Sequence, residues 1–281
     1  MSNAESEMNQ EGVRNGRSRI AAAFQNAQTK QSAALMPYFT LGYPDRETSL
    51  DIVAAIAPYS DLLELGVPFS DPLADGPTIQ RSTQIALENG TTAAGCLEMV
   101  QELRRRGVET PVMLMGYINP ILAYGPEKYV QDAAAAGADG FIVPDLPPEE
   151  AHELEALAAA AGMALIHFLA PTSNEARIAD VTKRAQGFIY LVSLTGVTGA
   201  RKAVSADLAG FVARVRAQAN VPLAVGFGIG TPEQAAAVGA MADGVIVGSA
   251  LINAVNAAEN DRPQAAAAFV QALQTSLESR L

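Results

Sequence analysis

Eight short apolar runs recur along this chain, at 34–40, 61–65, 111–115, 139–143, 163–167, 187–192, 222–226 and 243–247. Longer stretches rich in Ala, Leu and Glu separate them, and their periodicity predicts helices at 46–57, 78–88, 126–136, 148–161, 174–184, 205–218, 232–238 and 262–279. Two more helices are predicted, one at 17–28 before the first run and one at 92–106 after the second. Strands that are apolar at nearly every position are buried on both faces, as in a parallel sheet covered by crossover helices. Closing eight such units gives a (β/α)8 TIM barrel, here with an extra N-terminal helix and an extra helix after strand 2. The rival architecture, an open doubly wound sheet, lacks its Gly-x-Gly-x-x-Gly after the first strand and a second-domain linker.

A barrel of ~250 residues forms one domain, so residues 16–281 are read as a single (β/α)8 unit. Residues 1–15 are polar, and Ser2-Asn3-Ala4 has the look of a tag remnant, so this segment is expected to be disordered or tag-derived. The chain is 49% hydrophobic, ample for a core, and carries a net charge of −11. Such an acidic balance argues against nucleic acid and against an anionic membrane surface. Any phosphate must then be held by local backbone groups. No apolar stretch approaches the ~20 residues of a membrane span, and no charged start followed by an apolar block marks a secretory leader. With a single cysteine, Cys96, no internal disulfide is possible. A reducing, cytoplasmic location is the expectation.

The most informative segment is Glu64-Leu-Gly-Val-Pro-Phe-Ser-Asp71-Pro-Leu-Ala-Asp75-Gly-Pro77. An apolar strand carries one carboxyl near its end, and a stiff Pro/Gly loop brings two more back toward it. A glutamate stripped of water in an apolar strand favours its neutral form, so its pKa rises toward the range useful for proton transfer near neutrality. Taken alone, the pattern is better read as a salt-bridged strand-end glutamate followed by solvated turn aspartates.

The last two strands are each followed by glycines. Gly226-Phe-Gly228-Ile-Gly230 leads into Thr231-Pro232, a helix start, and Gly248-Ser249 follows the eighth strand. Glycines admit a ligand close to the backbone, and free N–H groups at a helix start hold a dianion without lysine. Barrel enzymes commonly bind phosphate after strands 7 and 8. Thr195-Gly-Val-Thr198-Gly199 is a third candidate, as a mobile surface loop or a lid over a phosphorylated substrate.

These segments resemble the signatures of the tryptophan synthase alpha-chain family, together with Pro37-Tyr38-Phe-Thr-Leu-Gly-Tyr-Pro44, Leu114-Met-Gly-Tyr-Ile-Asn-Pro120 and Phe141-Ile-Val-Pro-Asp-Leu-Pro147. The likeness spans residues 20 to 280 in the family's order and spacing. It implies a lyase that splits indole-3-glycerol phosphate into indole and glyceraldehyde 3-phosphate by a retro-aldol reaction, in tryptophan biosynthesis. By motif match, Glu64 transfers protons at ring carbon 3 and at the side-chain hydroxyl. Asp75 accepts the indole N–H, and Tyr190 is an active-site tyrosine. Gly199, Gly228, Gly248 and Ser249 fall at the phosphate, and Thr198 in the lid loop. Tyr38, Met115, Ile142 and Phe227 line the indole slot. Gly230 departs from the family, where a serine is often found.

The resemblance also implies a beta-chain partner in an alpha2-beta2 heterotetramer, docked on a rim that includes Asp71, Pro72, Asn119 and Asp145. No cofactor is expected on this chain, and pyridoxal phosphate would belong to the partner. Two alternatives stand beside it: a free-standing lyase that releases indole, and an inert barrel that only regulates its partner. His152 reads as part of a solvated helix face, His167 as packed, and Cys96 as buried filler. The sequence contains no His-x-x-x-His, paired cysteines or other metal-type spacing. Lys30, Lys128, Lys183 and Lys202 all lie outside the apolar strands, which disfavours Schiff-base chemistry.

Overall fold

A computed structural model of the chain describes residues 15–192, 201–226, 228–258 and 260–278, and of 201–206 the backbone alone. The expectations placed on residues 1–14, Thr198, Gly199 and Phe227 therefore lie outside the described residues. Eight parallel strands close into a barrel in chain order. They are β1 (Ala34–Thr40), β2 (Leu63–Gly66), β3 (Val112–Met115), β4 (Gly140–Ile142), β5 (Ala164–Leu169), β6 (Ile189–Val192), β7 (Leu223–Gly226) and β8 (Gly244–Val247).

Around the barrel run α1 (Gly16–Thr29), α2 (Arg46–Ile56), α3 (Pro77–Glu88), α4 (Ala93–Arg105), α5 (Ile118–Tyr124) and α6 (Pro126–Ala136). They are followed by α7 (His152–Ala160), α8 (Glu175–Arg184), α9 (Arg201–Arg216), α10 (Pro232–Gly239), α11 (Ser249–Ala257) and α12 (Arg262–Glu278). Every predicted strand falls on an observed one. The helices differ at four places. The stretch predicted as a helix at 148–161 is a 3-10 turn at Pro148–Glu150 and then α7. The helix expected at 205–218 begins earlier, at Arg201. Helices α5 and α11 were not anticipated. The first is too short to show a period, and the second follows its strand so closely that Leu251 and Ile252 read as more of the same apolar run.

Alternate residues of the strands fill the interior. Met36, Leu62, Met113, Ile142, Ala164, Ile166, Phe188, Tyr190, Ala224 and Ile246 form one buried cluster with Ile20, Ala23, Phe24 and Ala27 of α1. That helix closes the amino end of the barrel. The Phe24 ring lies 5.6 Å from that of Phe188, and Phe24 also packs beside Gly244, where a methyl would meet it at 3.1 Å. Burying a side chain such as Ile20 or Phe24 contributes roughly 1.5–3 kcal/mol.

Below this plug, Asp139 at the foot of β4 is fully buried and takes Arg19 Nε at 2.8 Å, Arg104 Nη2 at 2.8 Å and the Val112 N–H at 2.8 Å. One carboxylate thus ties α1, α4, β3 and β4 together. The opposite, carboxyl end is left for loops and function.

Candidate active site

Strand register brings the site together. Tyr38 pairs with Glu64 and Glu64 with Met113, so the three stand at one level across β1, β2 and β3. On the far side Phe168 pairs with Tyr190 and Tyr190 with Ala224. Glycines make room for the two tyrosines. A methyl on Gly66 would lie 2.2 Å from the Tyr38 hydroxyl, and one on Gly226 would lie 2.2 Å from that of Tyr190. Each ring therefore leans across a bare strand end and carries its hydroxyl into the barrel.

Glu64 is only 3% exposed, and its Oε2 has no hydrogen-bond partner among the described residues. Burial, and next the charge of Asp75, push its carboxyl up to about 8. Asp75 is also raised by burial, to about 6, against the opposing effect of a hydrogen bond from Tyr117 Oη at 3.0 Å. The two carboxyls thus divide near neutral pH, one an acid and the other a carboxylate. Such a split marks acid and base roles.

The loop returns only one carboxyl to this place. Asp71 is exposed and bonded by its neighbour Ser70, which corrects the expectation of two. Tyr190 is buried, and its hydroxyl is raised by burial and then by the charges of Glu64 and Asp75. No hydrogen bond joins it to Glu64 among the described contacts.

Two contributors escaped the sequence reading. Tyr117, just past β3, donates to Asp75 and accepts the Ala74 N–H at 3.0 Å, so it fixes the loop that carries Asp75. It sits inside a motif already singled out, two residues before Asn119. Phe168 stacks 4.7 Å from Tyr190 and forms part of the apolar wall. Of the expected indole slot, Tyr38 and Ile142 are buried and Met115 half-buried, and all three lie on the inner strand faces.

The glycine turns differ from each other. At α10 the start is already filled: Thr231 and Gln234 form a reciprocal cap, and Gln234 Oε1 takes the Gly230 N–H at 2.8 Å. Helix α11 begins at Ser249 with Gly248 as its cap and no side-chain cap bond, so its first amides remain available for an anion. Gly228 adopts φ +77°, the left-handed turn that suits glycine, and is exposed.

Elsewhere the chemistry is thin. His167 lies 2.7 Å from Glu155 Oε1, and burial lowers its pKa. His152 is exposed on α7, and burial pushes the Cys96 thiol up to about 12. No cluster of three or more metal-binding side chains exists among the described residues. A groove of 1020 Å³ at the amino end, beside Arg17 and Arg216, is lined by neither Glu64 nor Asp75. Asp145 is exposed on the rim and accepts the Ile118 N–H at 2.9 Å, and Asn119 is exposed beside it. No helix among the described residues is long and apolar enough to cross a membrane.

A closed parallel barrel that holds a divided carboxyl pair at its carboxyl-end mouth, with an uncapped helix start opposite, defines an acid–base enzyme of the (β/α)8 class acting on an anionic substrate. Residues 24–280 match the family model for the tryptophan synthase alpha chain. The alpha chain of Chloroflexus aurantiacus is 52% identical over 262 residues, 92% of this chain and 98% of that one. That of Geobacter sulfurreducens is 48% identical, with 92% and 99% covered. The crystal structure of the alpha subunit from Legionella pneumophila strain Paris superposes with a TM-score of 0.85 at 39% identity, covering 92% of this chain and 98% of that one. The chain belongs to the tryptophan synthase alpha-chain family. It is a lyase of tryptophan biosynthesis that cleaves indole-3-glycerol phosphate.

Proposed function

We propose that Glu64 performs both proton transfers of the retro-aldol cleavage, with Asp75 as its electrostatic partner. Indole leaves through carbon 3 only after that carbon is protonated, which turns the ring into its indolenine form. Glu64 gives its proton to carbon 3, then takes the proton of the side-chain hydroxyl as the carbon–carbon bond opens, and so ends as the acid it began. Asp75, ionised, accepts the ring N–H and stabilises the positive charge that gathers on nitrogen. Tyr190 orients Glu64 or the substrate hydroxyl. The phosphate sits at Gly228, Gly248, Ser249 and Gly199 under a lid that carries Thr198. The ring lies among Tyr38, Met115, Ile142 and Phe227.

One observation carries the assignment: Glu64 is buried at the barrel mouth with Oε2 unpartnered among the described residues, and burial, joined by the charge of Asp75 held by Tyr117, pushes its carboxyl up. Each positioned proton transfer supplies ~10²–10⁴ in rate. Glu64→Gln is expected to lose at least that much in glyceraldehyde 3-phosphate release while still binding substrate. Substantial residual turnover would take Glu64 out of the role.

On the rim, Asp71, Pro72, Asn119 and Asp145 meet a tryptophan synthase beta chain, in an alpha2-beta2 heterotetramer in the cytoplasm. Pyridoxal phosphate belongs to that partner, and this chain carries no cofactor. Leu73 belongs to the same rim, 92% exposed between Asp71 and Asp75. Turnover that accelerates when a beta chain is added supports this arrangement. Fast solitary turnover would instead favour a free-standing lyase, and none with the partner present a regulatory barrel.

A further inference from the structure

Asp145 stands exposed on the rim, yet its hydrogen bond leads inward. Helix α5 follows Tyr117, whose side chain makes no cap bond, so the first amide of the helix has no partner within its own segment. Asp145, from the loop after β4, supplies one: its Oδ1 accepts the Ile118 N–H at 2.9 Å. The loops after β3 and β4 leave the barrel side by side, since Met115 pairs with Ile142 and the Gly116 N–H bonds the Ile142 carbonyl at 3.0 Å. A carboxylate is a favoured cap for a bare helix start, both as an acceptor and as a charge.

Ile118 is joined directly to Tyr117, and Tyr117 seats Asp75. Its buried hydroxyl accepts the Ala74 N–H at 3.0 Å and donates to Asp75 Oδ2 at 3.0 Å. An N–H only donates and a carboxylate only accepts, so the sense of both bonds is fixed. The Phe69 ring packs on Tyr117, with centroids 5.4 Å apart. We propose that Asp145 is a positioning residue for Asp75: by capping α5 from the neighbouring loop it fixes where the Tyr117 hydroxyl stands, and so keeps that hydroxyl bonded to the Asp75 carboxylate.

The titratable groups that face Asp75 are Glu64 on β2, Tyr38 on β1, Tyr117 after β3 and Tyr190 on β6. From α3, Gln80 bonds the Asp75 backbone carbonyl at 2.9 Å and does not titrate. Burial raises the Asp75 carboxyl, and the Tyr117 hydrogen bond opposes it. Loosening that bond therefore raises the value further. Removing the Asp145 charge alone acts in the other direction or not at all, because a nearby negative charge disfavours a carboxylate. The two effects of a substitution at Asp145 are thus separable by sign.

This role rests on the reading of Asp75 as the ionised partner of Glu64, but its test needs neither substrate nor a second chain. Failure of the chemistry and failure of this role are therefore separate results. The full chain is labelled with ¹³C at aspartate carboxyls, the Asp75 signal is assigned by its absence in Asp75→Asn, and the signal is titrated. In Asp145→Ala the cap is lost, and the Asp75 pKa is expected to rise by about half a unit, a threefold change in ionisation constant. Asp145→Asn keeps an acceptor in place and removes the charge, so the value stays or falls. In a Tyr117→Phe background Asp145→Ala brings no further rise. The proposal is overturned if Asp145→Ala leaves the Asp75 pKa unchanged or lower, if Asp145→Asn raises it as much, or if the rise persists without the Tyr117 hydroxyl.

Discussion

The pKa order of two carboxyls governs what the site does with pH. In the proposed cleavage, Glu64 enters protonated and Asp75 ionised. The value of kcat/KM is therefore expected to rise as pH passes about 6, where Asp75 loses its proton, and to fall as it passes about 8, where Glu64 loses its own. These are apparent values of an interacting pair. A profile that stays flat from 5 to 9 on roughly neutral buffers would contradict the division of roles. Tyr117→Phe removes the hydrogen bond that lowers Asp75, so the ascending limb should move to higher pH while the descending limb changes less. Glu64 was legible in the sequence because a charge stands out in an apolar run. Tyr117 was not, because its bond to Asp75 spans 42 residues and no local pattern announces it.

Among the elements, the strand-end glycines set the shape of the mouth. In Gly226→Ala the new methyl falls 2.2 Å from the Tyr190 hydroxyl and 2.6 Å from the ring carbon bearing it, so the ring must swing away. Displacements of this order cost about 10² in rate even where the chemistry is untouched. That loss of kcat is expected with the circular dichroism of the barrel preserved. Gly210→Ala, in α9 with open space where its methyl goes, serves as the control with unchanged turnover. If the two variants behave alike, Tyr190 is a passive wall. The strands themselves were readable because both their faces are buried, which leaves an unbroken apolar run. The glycine turns after β7 and β8 were only half readable. Thr231 and Gln234 spell a helix start, but sequence does not reveal that the two residues consume each other's free groups. Gly248 and Ser249 do not, and that contrast appears only once the side chains are placed.

Across the molecule as a whole, a buried ion-pair network ties four elements together at the end opposite the proposed chemistry. Asp139→Asn leaves Arg19 and Arg104 facing a neutral amide in a buried position, and removing one member of such a network costs about 3–5 kcal/mol. Urea denaturation should show that loss, with the active-site pKa values of the folded protein unchanged. A change below about 0.5 kcal/mol, typical of a surface substitution, would mean that the network is ornamental. Asp139 attracted no notice in the sequence because its partners lie 120 and 35 residues away. The helix that these arginines help to seat, with Ile20 and Phe24 pressed into the lower barrel, shuts the amino end, so among the described residues the approach to Glu64 is from the carboxyl end. Loops at that rim, more than the buried strands beneath, are then placed to set how readily a fragment departs.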